Sequence, residues 1–139
     1  MLILWSYSMR TFVKTMTGLA ALLASAISMG HHSFSAEFDV GRPVELSGTV
    51  NHMEWTNPHA WLHLDVQAED GSTQTWAIEF LGVNALVRSG MSPKTVKPGD
   101  KLTVTGFGSR DGTNTANASS AKRTDSGETL WASASSSRQ

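Results

Sequence analysis

The chain contains no cysteine, which rules out disulfides and any thiolate metal site. It carries no excess of basic residues either, with 11 Lys and Arg against 12 Asp and Glu. Nucleic-acid binding rests on neutralising phosphates, so that balance argues against a nucleic-acid partner. No apolar run reaches the about 20 residues needed to cross a bilayer as a helix. Enzyme signatures are absent as well: no G-x-S-x-G nucleophile elbow, no phosphate-cradling glycine loop, no dinucleotide fingerprint and no H-E-x-x-H zinc pattern. The expectation is a binding protein and not an enzyme.

What is present begins with an N-terminal leader. Arg10 and Lys14 precede an apolar stretch from Met16 to Met29, the order of a secretory signal peptide. Ala24-Ser25-Ala26 offers one cleavage point and Ser28-Met29-Gly30 another, the second leaving His31 first. Three segments follow from this: residues 1–30 as signal peptide, 31–132 as the folded domain, and 133–139 as a Ser-rich disordered tail. Removal of the leader takes Arg10 and Lys14 with it and leaves a formal charge of −3. The expected location is the periplasm or the medium, without stable membrane insertion after cleavage. With no disulfide, stability must come from the core of about 100 residues.

The rest of the chain alternates as strands do. Val44, Leu46, Gly48 and Val50 alternate with polar residues in a first strand running to Trp55. Continued strictly, that period would bury His52 and Glu54 and expose Met53 and Trp55. A bulge near Asn51 or a bend at Gly48 would repair it. Residues 60–68 form a second strand with Leu62, Leu64 and Val66 inward, and 75–80 a third with Trp76, Ile78 and Phe80 inward. Matching the two faces pairs Val66 with Trp76 and Leu64 with Ile78, which sets His63 opposite Glu79. Residues 83–89 read as a short helix capped by Gly90, followed by a Lys97–Asp100 turn. Strands over 101–108 and 116–122 and a last short strand with Leu130 and Trp131 complete the chain. The fold class expected is all-β: a small OB-like five-stranded Greek-key barrel with one short helix between strands three and four. A small β-sandwich is the alternative.

Four segments together carry a resemblance: His31-His32-Ser33-Phe34, Ala36-Glu37-Phe38-Asp39, Glu54-Trp55-Thr56-Asn57-Pro58-His59-Ala60-Trp61 and Lys97-Pro98-Gly99-Asp100. They resemble a family of small exported bacterial proteins classed only as a domain of unknown function. The likeness runs from about His31 to Trp131, and it implies export and a compact β-barrel without an activity. Members usually have Ala before the His pair, where this chain has Gly30.

Histidine supplies the candidate chemistry. It is the commonest metal ligand, and Cu(II) accepts nitrogen donors in tetragonal geometry. A chain starting at His31 could chelate copper through its α-amine and imidazole, with His32 or His59 adding a donor. The plainer alternative is two exposed histidines trailing a signal peptide. His59 lies between Trp55 and Trp61 in a loop of the kind OB-folds use for binding, or else it steadies the Asn57 turn. His52, Glu54, His63 and Glu79 could complete a site. Trp55, Trp76 and Trp131 are core candidates, whereas the alternation turns Trp61 outward. Two functions compete: copper binding through His31, His32 and His59, or a metal-free module that docks a ligand or periplasmic protein partner through Trp61 and Asn57 in the Thr56–His59 loop.

Overall fold

A computed structural model of the chain describes residues 34–133. The expected signal peptide, residues 31–33 with His31 and His32, and residues 134–139 lie outside the described residues. Among the described residues, which open on a helical stretch at 34–37, the domain is all-β with six strands and a short helix between β3 and β4: β1 (Phe38–Glu54), β2 (Trp61–Gln67), β3 (Thr73–Glu79), α1 (Val83–Arg88), β4 (Lys101–Ser109), β5 (Thr115–Arg123) and β6 (Thr129–Ala132). The sheet order is β3-β2-β1-β4-β5-β6, and β3 also pairs with β5. The β3–β5 ladder is parallel, while every other pairing is antiparallel. Pairing therefore runs from β1 through β2, β3, β5 and β4 and returns to β1. The sixth strand is the last short one expected with Leu130 and Trp131; it makes the sheet one strand larger than the five-stranded barrel expected and pairs with β5.

The core is built from the inward sides of the alternating strands. Leu62, Leu64 and Ile78 are fully buried, as are Leu102 and Ala121, and Phe80 meets Trp131 edge to face at 5.2 Å. Trp76 packs partly buried against this cluster, as the alternation predicts, and Trp55 does so because the register of β1 shifts near Asn51. The helix adds Leu86 and closes with a Schellman arrangement. There, Met91 N–H donates to Leu86 O and Gly90 N–H to Val87 O, with Gly90 at φ +99°. Glycine suits that position because it alone carries no Cβ to clash in the left-handed region.

β1 begins six residues earlier than the Val44 start expected, because Phe38 already pairs with Ser109. Near its other end the bulge, one of the two repairs expected, is present. Val50 pairs with Leu64 and His52 with His63, so Asn51 is an extra residue in β1. Asn51 and His52 are both exposed in succession, after which Met53 turns inward and Glu54 outward. The bulge keeps the core side apolar by moving two polar side chains onto one outer face.

The hairpin register differs from the expectation. Leu64 pairs with Trp76, Leu62 with Ile78 and Trp61 with Glu79, two residues away from the predicted match. His63 therefore faces Ala77, and the expected His63–Glu79 pair does not form. A two-residue slip leaves every side chain on its own face, so the apolar pattern is blind to it. The loop decides instead. Ala68 N–H donates to Ser72 O, closing Glu69-Asp70-Gly71 as a three-residue loop with Gly71 last at φ +81°. That is where such a loop needs a left-handed residue, and the predicted register would have put Gly71 one position too early.

Candidate functional site

The outer face of β1, β2 and β3 carries the polar groups. Consecutive rungs across it read Thr49–Asp65–Thr75, His52–His63–Ala77 and Glu54–Trp61–Glu79. Because β3 also pairs with β5, the last rung continues to Asn117.

On the middle rung the two imidazoles stack, with centroids 4.1 Å apart and planes 7° from parallel. Glu54 reaches across from the next rung. Its Oε1 lies 3.0 Å from His63 Nε2 and 3.8 Å from His52 Nε2. One donor atom from each of His52, Glu54 and His63 falls within 4.8 Å of the other two. His52 and Glu54 are half-exposed and His63 is more covered. Bond lengths of about 2.0–2.2 Å to nitrogen and oxygen can bridge the 3.0 and 3.8 Å spacings of Glu54 to the two rings. An ion shared by both imidazoles requires their parallel stack to open, since each lone pair lies in its own ring plane. Two neutral imidazoles and a carboxylate form a borderline N2O donor set, which suits copper or zinc and leaves coordination positions open to solvent.

A hydrogen-bonded row backs this cluster. His52 Nδ1 is 3.0 Å from Asn51 Oδ1, Asn51 Nδ2 donates to Asp65 Oδ2 at 3.0 Å, and Thr75 Oγ1 donates to Asp65 Oδ1 at 2.6 Å. The Thr75 hydroxyl and the Asn51 amide hold the Asp65 carboxyl below its ordinary range, with a smaller contribution from His52. Asn51, Asp65 and Thr75 escaped the sequence analysis as site residues. The available signal was Asn51 itself, since a bulge beside histidines re-aims side chains.

His59 goes elsewhere. Its Nδ1 pairs with Glu79 Oε1, and the second Glu79 oxygen accepts from Asn117 Nδ2 at 3.1 Å. Glu79 is buried at 6% exposure, although its alternation expects an outward side chain. The parallel β3–β5 ladder and the His59 ring account for that cover. The His59 loop is fixed at several points. Thr56 Oγ1 donates to His59 O at 2.8 Å, and Asn57 Oδ1 accepts the Val83 N–H at 3.1 Å. Any Cβ at Gly82 would press on Pro58 O at 2.6 Å and Asn57 Oδ1 at 2.7 Å, so this loop and the start of α1 need glycine there. The Asn57 side-chain oxygen thus ties the loop to the helix. Trp61 sits half-buried on the rung between Glu54 and Glu79, on the outward side predicted for it.

The structure thus unites His52, Glu54 and His63, pairs His59 with Glu79, and sets Trp61 between the two groups. His31 and His32 lie outside the described residues. Among those residues no helix is long and apolar enough to cross a membrane.

Fold and site together define a small all-β domain bearing a histidine–carboxylate cluster on one sheet face. The model of a family of unknown function, DUF6152, matches residues 20–118, and the chain belongs to that family. No curated protein and no solved structure matches the chain.

Proposed function

We propose that this chain is an exported OB-like barrel that binds a transition-metal ion, copper before zinc, through His52, Glu54 and His63. The observation that carries the proposal is the convergence of three donor atoms from two strands on one face, created by the Asn51 bulge. Copper stands highest among the divalent ions for such nitrogen and oxygen donors. The barrel reading is supported by the pairing circuit from β1 through β2, β3, β5 and β4 back to β1, with α1 between β3 and β4. Export to the periplasm rests on the Arg10–Gly30 leader pattern. Delivery, buffering or sensing of the ion fits a half-exposed site better than turnover does. His31 and His32 form a separate N-terminal chelate in this proposal, and His59 drops out of the ligand set because Glu79 engages it.

Copper titration by calorimetry tests the proposal. The His52→Ala/His63→Ala double variant should weaken binding at least tenfold, about 1.4 kcal/mol. A His31→Ala/His32→Ala variant reports the N-terminal chelate separately. Unchanged affinity in the first variant and lost affinity in the second would move the site to the N-terminus. Wild-type protein that takes up no copper would favour the metal-free module that docks through Trp61.

A further inference from the structure

We propose that Asp65 and Asn51 hold His52 as its Nδ1–H tautomer, a ready Nε2 donor, while Glu54 holds His63 as the opposite tautomer, so that an entering ion must switch His63 alone. The ion half of this proposal rests on the metal-binding reading above; the tautomers do not.

The assignment follows from what each group is able to donate. A carboxylate only accepts, and both oxygens of Asp65 are engaged, one by Thr75 Oγ1 and the other by Asn51. Asn51 must therefore turn its NH2 toward Asp65, because a flipped amide would set oxygen against oxygen. That leaves Asn51 Oδ1 facing His52 Nδ1 at 3.0 Å. An amide oxygen has no proton to give, so the proton of this hydrogen bond sits on His52 Nδ1. A neutral imidazole carries one N–H, and the His52 lone pair is consequently on Nε2, the atom facing the cluster. There it lies 3.8 Å from Glu54 Oε1, too far for a hydrogen bond.

His63 has the reverse arrangement. Its Nε2 lies 3.0 Å from Glu54 Oε1, and again only the imidazole has a proton to donate. The lone pair of a neutral His63 is therefore on Nδ1, and the atom nearest the cluster is blocked by its own hydrogen. Two rings stacked at 4.1 Å on one rung thus differ in readiness. An ion meets a preformed donor at His52. Its bond to His63 forms as the Nε2 proton leaves to solvent and Nδ1 takes one up, so the ring stays neutral and Glu54 Oε1 is freed as the third donor. Partners that fix a ligating histidine through its other nitrogen are typical of metal sites. Here Asn51 and Asp65 are the positioning residues.

The test is nitrogen-15 NMR of the imidazole rings in the full chain at about pH 8, well above where free imidazole is protonated. His52→Ala and His63→Ala variants assign the signals, and zinc serves as the diamagnetic probe. Without metal, His52 should show its proton on Nδ1 and His63 on Nε2. One equivalent of zinc should move the His63 proton to Nδ1 and leave His52 as it was. Asn51→Leu should abolish the His52 preference and lower zinc affinity about 10- to 100-fold, the usual range for such a partner. A metal-free His52 protonated on Nε2 would overturn the proposal, as would Asn51→Leu protein with unaltered tautomer and affinity. The stated tautomers with neither ring responding to zinc would instead sink the metal reading, and the switch at His63 with it.

Discussion

Replacing His59 by Ala separates a structural histidine from a ligand. The imidazole is one of two groups engaging the Glu79 carboxylate, the other being Asn117. Removing it leaves a buried anion with half its hydrogen bonding. Breaking a fully buried ion pair destabilises by about 3–5 kcal/mol, because the remaining charge is uncompensated. The His59 side chain is 47% exposed, however, so water enters the space it vacates. The loss should then lie near that of a hydrogen bond to a charged group, about 1.5–3 kcal/mol. In a domain near 100 residues, about 2 kcal/mol lowers Tm by roughly 8–16 °C. Urea unfolding at neutral pH measures this directly, provided the slope with denaturant is unchanged. The decisive comparison is a cycle with Glu79→Gln. With no buried charge to strand, His59→Ala in that background should cost under about 1 kcal/mol, a coupling characteristic of contacting residues. Equal losses in both backgrounds would refute the account of Glu79, and so would a single-variant loss below about 0.5 kcal/mol. Copper affinity should survive His59→Ala nearly intact; a tenfold fall would return His59 to the ligand set.

Two further outcomes follow from the same face. Asp65 has its folded-state carboxyl depressed by Thr75 and Asn51, so in acid the unfolded chain binds its proton first. The stability it contributes is present above the ordinary value of 3.8 and disappears as pH falls through the depressed one. Asp65→Asn should accordingly flatten the acid limb of a stability–pH curve below about pH 4, and an unaltered limb would contradict the Asn51–Asp65–Thr75 row. Gly48→Ala should destabilise by roughly 1–3 kcal/mol, since the added Cβ would overlap the Asp65 carbonyl and touch Leu64 across the β1–β2 ladder. Thermal melts of that variant indistinguishable from wild type would show that the two strands part more easily than their packing indicates.

The apolar period of two assigned the faces of β2, β3 and β1 as far as Val50, since alternate residues must point to opposite sides whatever their neighbours are. It thereby located the core through Leu62, Leu64, Ile78 and Trp76, and turned Trp61 outward. The break in that period after Val50 called for a bulge near Asn51 or a bend at Gly48 to keep His52 and Glu54 out of the core, and the β1–β2 register decided for the bulge. The absence of cysteine confined any metal site to histidine and carboxylate donors. Pairing was a different matter. A slip of two residues preserves both faces, so only the closed Glu69–Gly71 loop set Trp61 against Glu79 and His63 against Ala77. The meeting of His52 with His63 depended in turn on the β1–β2 register, and the burial of Glu79 on a parallel ladder from residues nearly forty positions away. Side-chain period is a local property of one strand, whereas a polar face shared among four strands is made by long-range registers that no single segment encodes.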